Sequence, residues 1–204
     1  MTGVPKTYDQ AYFDKWYRGA QRVNSTADVR RKVHLAVSVT EYFLKRAIRS
    51  ALDIGCGEGA WLEHLHALRA NIEYMGLDPS DYVVRRFGKK RNIHRAAFGD
   101  LPSLNLRRRF DLVICSDVLH YVDDSEIRAG AVEIARLAGA VAFIEVLTKE
   151  DDIEGDLRDM KRRPAKWYRK TFADAGLMMV APYCYLAPSL FANAAELEVP
   201  HPNG

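Results

Sequence analysis

Leu52 to Gly59 reads LDIGCGEG, and the fold of the chain turns on it. Ser50 to Ile54 forms a short buried strand, Gly55, Gly57 and Gly59 follow at every second position, and Ala60 to Ala70 takes a helical pattern. Glycines gather at such a turn because the backbone bends sharply and a ligand approaches too closely for any Cβ. The spacing is G-x-G-x-G, whereas dinucleotide sites use G-x-G-x-x-G. Asp53 stands just before the turn and Glu58 at the helix entrance. Two carboxylates there oppose a diphosphate and suit a ligand that carries positive charge.

Outward from the turn, strand and helix alternate. Ile72 to Asp78, IEYMGLD, reads as a second strand whose last residue is an acid. A carboxylate at the tip of the strand beside a glycine turn has two oxygens for vicinal ribose hydroxyls, so Asp78 is the candidate ribose ligand. The other reading of Asp78 is a turn or cap residue before Pro79. Asp81 to Lys89 reads as a helix and Asn92 to Phe98 as a third strand, followed by Gly99, Asp100, Leu101 and Pro102. Phe110 to Cys115, FDLVIC, is nearly all apolar and so buried on both faces of a sheet. Ser116, Asp117, Val118, Leu119, His120 and Tyr121 continue from it. Asp124 or Ser125 caps a helix with Ile127, Ala131, Ile134 and Leu137 inward, and Ala140 to Leu147 is a fifth strand carrying Glu145, an acid that is either paired in the core or points into a site. Trp167 to Leu177 returns to a helix closed by Gly176, and Met178 to Leu186 supplies a final strand pair. This alternation demands an α/β fold with a parallel, right-handed, doubly wound sheet and helices on both faces.

The stretches LDIGCGEG, IEYMGLD and FDLVICSDVLHYV resemble the class I S-adenosylmethionine-dependent methyltransferases of small molecules. S-adenosylmethionine carries a sulfonium and an ammonium and no phosphate, which agrees with the acids at the turn. The resemblance covers Ala51 to Leu147 and, more loosely, Trp167 to Leu177. It implies a Rossmann-like, mostly parallel seven-stranded sheet with a last antiparallel strand, in one domain spanning 1–204. Within it, residues 1–48 form an N-terminal helical cap, 50–186 the core, and 149–166 a charged insertion placed to act as a lid; the plainer reading of that charge run is a solvated surface segment. The resemblance further places Asp53, Gly55, Cys56, Gly57 and Gly59 around the methionine end of the cofactor, with Cys115 and Ser116 at the end of the fourth strand. It sets Asp78, Pro79 and Ser80 at the ribose, and Asp100 and Leu101 at the adenine. Tyr12, Trp16, Tyr17, His120, Tyr121 and Glu145 are left to line the acceptor pocket.

For His120 two readings stand level. A neutral imidazole takes a proton from an attacking hydroxyl or amine, or it only shapes the pocket. Tyr12, Trp16 and Tyr17 belong to an aromatic-rich helix, YDQAYFDKWYR, whose plainer reading is an apolar face packed on the domain. Asp28 is the expected cap of a longer helix through Ala47.

Composition narrows the function further. Thirty basic residues against 27 acidic give a formal charge of +3, too close to balance to signal a nucleic-acid partner. The basic runs Arg85 to Arg91 and Arg107 to Arg109 lead into the third and fourth strands, whereas ligand sites of parallel sheets open at the carboxyl ends, so both runs are expected to face solvent. Cys56, Cys115 and Cys184 have no paired spacing, which suits a reduced cytoplasm without disulfides or structural zinc. No apolar run approaches the ~20 residues of a membrane span. The expectation is a cytoplasmic enzyme that uses S-adenosylmethionine to methylate O or N of a small acceptor, without a metal. The alternatives are an S-adenosylmethionine-binding accessory protein without transferase activity and, less favoured by the glycine spacing, a nicotinamide-dependent oxidoreductase.

Overall fold

A computed structural model describes residues 6–18, 24–152 and 156–195. Parts of the expected cap (1–5 and 19–23), of the charged insertion (153–155) and of the C-terminal tail (196–204) lie outside the described residues.

Seven strands form one sheet: β1 (Ser50–Ile54), β2 (Glu73–Asp78), β3 (Ile93–Arg95), β4 (Phe110–Ser116), β5 (Ala138–Glu145), β6 (Met178–Ala181) and β7 (Cys184–Leu186). Their order is β3-β2-β1-β4-β5-β7-β6, with β7 antiparallel to β5 and β6, and the other neighbours parallel. This is the Rossmann-like sheet anticipated above. Chain direction across the sheet switches between β1 and β4, where a crevice opens at the carboxyl ends.

Alternate residues of the central strands feed two cores. Val113 and Cys115 of β4 join Leu52 and Ile54 against Ile127, Ala131 and Ile134 of α5 (Asp124–Leu137) and against Tyr168 and Phe172 of α6 (Ala165–Asp174). On the other face Leu112 and Ile114 meet Val33, Ala36 and Val37 of α2 (Thr26–Leu44) and Trp61 and Leu65 of α3 (Ala60–Leu68). Between β2 and β3 runs α4 (Asp81–Arg91), and before all of these stands the short α1 (Gln10–Phe13), continued by a π turn over Asp14–Arg18.

Several boundaries move for physical reasons. The cap of α2 is Ser25, whose hydroxyl accepts from the Asp28 amide; Asp28 is the reciprocal partner of that capping box, three residues inside. Strand β3 stops at Arg95, and Phe98–Ser103 winds into a 3₁₀ turn with Asp100 accepting from the Ala97 amide at 2.8 Å. In the N-terminal segment Phe13, rather than Tyr12 or Trp16, is the fully buried ring. Arg107, Arg108 and Arg109 are exposed, as are Arg85 and Arg86, but Arg91 is a correction: its guanidinium folds back and donates to the Glu58 carbonyl at the glycine turn. Among the described residues no helix is long and apolar enough to cross a membrane.

Candidate active site

The glycine turn after β1 is held by its own hydrogen bonds. Gly55, Gly57 and Gly59 all have positive φ, at 70°, 53° and 80°. The amides of Gly55 and Cys56 both donate to the Leu77 carbonyl, at 2.7 and 3.1 Å, and the Gly59 amide donates to the Cys56 carbonyl at 2.9 Å. The Gly57 amide donates to Asp78 Oδ2 at 2.8 Å, while the Ser80 amide donates to Oδ1 at 2.9 Å. Phosphate loops work by pointing free amides at an anion. Here the amides of Gly55, Cys56, Gly57 and Gly59 are engaged within the protein, so these four hold the shape of the turn.

The electrostatic argument made from sequence is weaker in the structure. Asp53 is fully buried against the Tyr74 hydroxyl, which donates to Oδ2 at 2.8 Å, and burial pushes its pKa up to about 7. It is only partly ionised at neutral pH. Glu58 is paired with Arg18 and accepts from the Tyr82 hydroxyl. The two acids therefore present far less free charge than their number suggests.

Three cavities open over the carboxyl ends of the strands. One, of about 320 Å³, is bounded by Gly57, Asp78, Pro79, Phe98, Gly99 and Tyr8. A second, of about 250 Å³, lies over Asp53, Gly55, Cys56, Glu58 and Ser116. A third, of about 290 Å³, lies over His120 and contains all six residues expected at the acceptor: Tyr12, Trp16, Tyr17, His120, Tyr121 and Glu145. Asp117 and Tyr17 border all three.

Five expected cofactor residues are placed elsewhere. Asp100 is exposed and caps the 3₁₀ turn, and Leu101 is buried in the core; because β3 ends early, Ala97, Phe98 and Gly99 reach the first cavity in their stead. Cys115 points into the core beneath the sheet and touches no cavity. Gly59 starts α3 with left-handed backbone. Ser80 caps α4 and donates its hydroxyl to the Tyr8 carbonyl, tying the N-terminal segment to the tip of β2.

The third cavity is built from side chains. Glu145 is paired with Lys32 at 2.7 Å and accepts from the Ser116 hydroxyl, so it is both paired and part of the wall. His120 is 1% exposed; burial, with Lys6 and Arg163 nearby, lowers its pKa to about 4. The imidazole is therefore neutral at physiological pH and a weak proton acceptor. Its Nε2 lies 3.5 Å from Asp117 Oδ1, and its Nδ1 is buried without a hydrogen-bond partner among the described residues. Burial raises the Asp117 pKa to about 6, with Glu145 adding to the shift.

Most described residues of the charged insertion are exposed, but a few anchor it to the domain. Arg163 is buried and donates to Asp124 Oδ1 at 2.6 Å, to the carbonyls of Val122 and Leu119 at 2.6 and 3.3 Å, and to the Tyr168 hydroxyl at 3.2 Å. The Lys161 amide donates to the His120 carbonyl at 2.7 Å, and the Tyr121 hydroxyl donates to the Asp156 carbonyl at 2.8 Å. Asp152, Asp156 and Met160 thereby become cavity wall. Asn24, Lys32, Asp117, Leu147, Asp152, Asp156 and Met160 complete the lining and were not expected from sequence. Only Asp117 had a signal: an acid just past a buried parallel strand, as at Asp78.

A family described as a methyltransferase domain matches residues 52–140, from β1 into β5. Over that stretch the chain resembles a methyltransferase domain, and its sheet order agrees with the likeness. Solved structures share the domain's fold. An S-adenosylmethionine-dependent methyltransferase from Archaeoglobus fulgidus is 18% identical over 81% of this chain and 72% of its own, with a TM-score of 0.60. DesVI of Streptomyces venezuelae is 17% identical over 80% and 91%, TM-score 0.60. Magnesium protoporphyrin IX methyltransferase from Synechocystis PCC 6803, solved with S-adenosylmethionine bound, is 20% identical over 88% and 89%, TM-score 0.55. No curated protein sequence matches the chain significantly.

Proposed function

We propose that the chain transfers a methyl group from S-adenosylmethionine to the O or N of a small-molecule acceptor. The observation that carries this reading is the meeting of three cavities at Asp117 and Tyr17: two over the glycine turn and Asp78, the third over His120. A donor laid along the first two presents its reactive end to the third. S-adenosylmethionine supplies a methyl group made electrophilic by its sulfonium.

The residues present fit that donor. Asp78 spends one lone pair on each oxygen holding the Gly57 and Ser80 amides, which leaves one on each for a ribose hydroxyl. Gly55 and Gly57 keep the floor free of side chains: a Cβ on Gly57 would stand 3.3 Å from Phe13, and one on Gly55 only 2.3 Å from Val118. Tyr8, Tyr12 and Phe13 cover the first cavity and exclude water. The protein's work is alignment of donor and acceptor and exclusion of solvent, which in-line displacement rewards most.

Calorimetry with S-adenosylhomocysteine tests the reading. The wild-type protein binds it, and Asp78→Ala weakens binding by about tenfold or more, the loss of two hydroxyl contacts to a charged acceptor. No heat from the intact wild type overturns the proposal, and unchanged affinity in the variant removes the ribose assignment. Incubation with labelled donor and a metabolite extract separates a transferase from an accessory binding protein, which transfers no label.

A further inference from the structure

The third cavity has an uneven charge balance. Among the described residues its lining carries Asp117, Glu145, Asp152 and Asp156 against one cation, Lys32, with Lys6 beside it. Lys32 is committed to Glu145 and to the Asn24 amide oxygen, at 2.7 and 2.9 Å. Asp156 is taken by Lys6, whose Nζ lies 2.7 Å from Oδ2, and Asp152 is exposed to solvent. Among the described residues Asp117 faces the neutral His120 with no cation in contact; Glu145, Lys32 and Lys6 act on it only from a distance. A half-buried carboxylate without a cationic partner is costly unless a ligand brings one.

Two further observations point to what that ligand is. The Nδ1 of His120, a neutral ring bordering the cavity, is buried without a partner among the described residues. The aromatic wall already holds an ammonium: Lys6 Nζ stands 3.6 Å from the centroid of the Tyr121 ring and 5.3 Å from that of Tyr12. Faces of such rings attract cations and do nothing for carboxylates.

We propose that the acceptor is a primary or secondary amine that enters as its ammonium ion, is held by Asp117 among the rings of Tyr12, Tyr17 and Tyr121, and gives Asp117 the proton it must lose before attack. This deepens the methyltransferase reading and rests on it. The proton passes from nitrogen to the Asp117 carboxylate and on to water. The freed lone pair forms the N–CH₃ bond as the S–CH₃ bond breaks, its electron pair staying on sulfur. An ammonium and a sulfonium thus give a methylated ammonium, a thioether and one proton. Acceptors that are anions at neutral pH are rejected by the same wall. Asp117 suits the relay because, with its pKa near 6, it is mostly ionised at pH 7 yet returns its proton to water readily.

The test uses three probes of one shape, benzylamine, benzyl alcohol and benzoate, titrated into the full chain saturated with S-adenosylhomocysteine. Benzylamine is expected to bind at least tenfold more tightly than the alcohol, and benzoate more weakly than either. In Asp117→Asn the amine falls to the level of the alcohol while S-adenosylhomocysteine still binds. Equal or tighter binding of alcohol or benzoate by the wild type overturns the proposal, as does an amine preference that survives in the variant, or no binding of any probe while S-adenosylhomocysteine binds. Should Asp117→Asn fail to fold, the wild-type ranking decides. Failure of the wild type to bind S-adenosylhomocysteine is a different result, and it overturns the methyltransferase reading itself.

Discussion

The two halves of the crevice are made by different physics. The donor half, around β1, β2 and the glycine turn, is held by backbone: left-handed glycines, amides returned to Leu77 and Asp78, and a floor too tight for a Cβ. The acceptor half, over His120, is held by side chains drawn from distant segments, with Lys32 reaching Glu145, Lys6 reaching Asp156, and Arg163 tying the chain after β5 to the ends of Leu119 and Val122. A shape written in backbone tolerates almost no substitution. One written in side chains can be rebuilt for another acceptor while the donor site stays as it is.

If that contrast is right, the largest effect of a single methyl group falls in the donor half. Gly55→Ala places a Cβ 2.3 Å from Val118 Cγ2 at φ +70°. The left-handed backbone alone costs about 1–2 kcal/mol for a residue with a Cβ, and the displaced Val118 leads into the acceptor wall. Calorimetry is expected to show S-adenosylhomocysteine binding weakened by about 100-fold. An affinity within a few-fold of wild type would break the comparison, because the turn would then be as adaptable as the opposite wall.

The acceptor half is expected to fail separately. Arg163→Met removes a buried guanidinium and leaves the Leu119 and Val122 carbonyls without their donor, which costs about 3 kcal/mol of stability in urea unfolding. Below the unfolding transition the variant keeps its affinity for S-adenosylhomocysteine within a few-fold but loses methyl transfer. Equal loss of both would mean that the halves are one cooperative unit.

The same contrast explains what could be read from sequence. The bounds of β1 match the expectation residue for residue, because a short apolar run ended by a glycine is a local signal. Asp78 stands where expected because the tip of a strand beside the turn is a topological position. Asp100 and Leu101 missed the cavity because β3 stops at Arg95, and a sheet edge depends on what pairs with it, which no window of sequence records. The six acceptor residues came together, but their partners Lys32, Lys6 and Asp156 did not show, since each contact spans far more chain than any periodicity reports. Asp117 was legible by the rule that found Asp78, applied to β4, the neighbour of β1 on the other side.

The smallest expected effect separates the halves by pH. Burial lifts the pKa of Asp53, in the donor half, from the ordinary carboxyl range to about 7, and that of Asp117, in the acceptor half, to about 6. A raised folded pKa means that the native state favours the protonated form. The stability each acid contributes is therefore fully present below about pH 4 and is lost as pH rises through its folded value. Relative to wild type, Asp53→Asn is expected to remove a decline between pH 4 and 8, measured as unfolding free energy by urea titration at each pH. Asp117→Asn removes a smaller decline that levels off about one pH unit earlier. Asp53 lies almost fully buried under its cavity and accepts from Tyr74, whereas Asp117 is the more exposed of the two, so water relieves the second acid more than the first. Identical pH dependences for the two variants would show that both acids sense the same solvent, and the division between a backbone-walled donor site and a side-chain-walled acceptor site would lose its electrostatic basis.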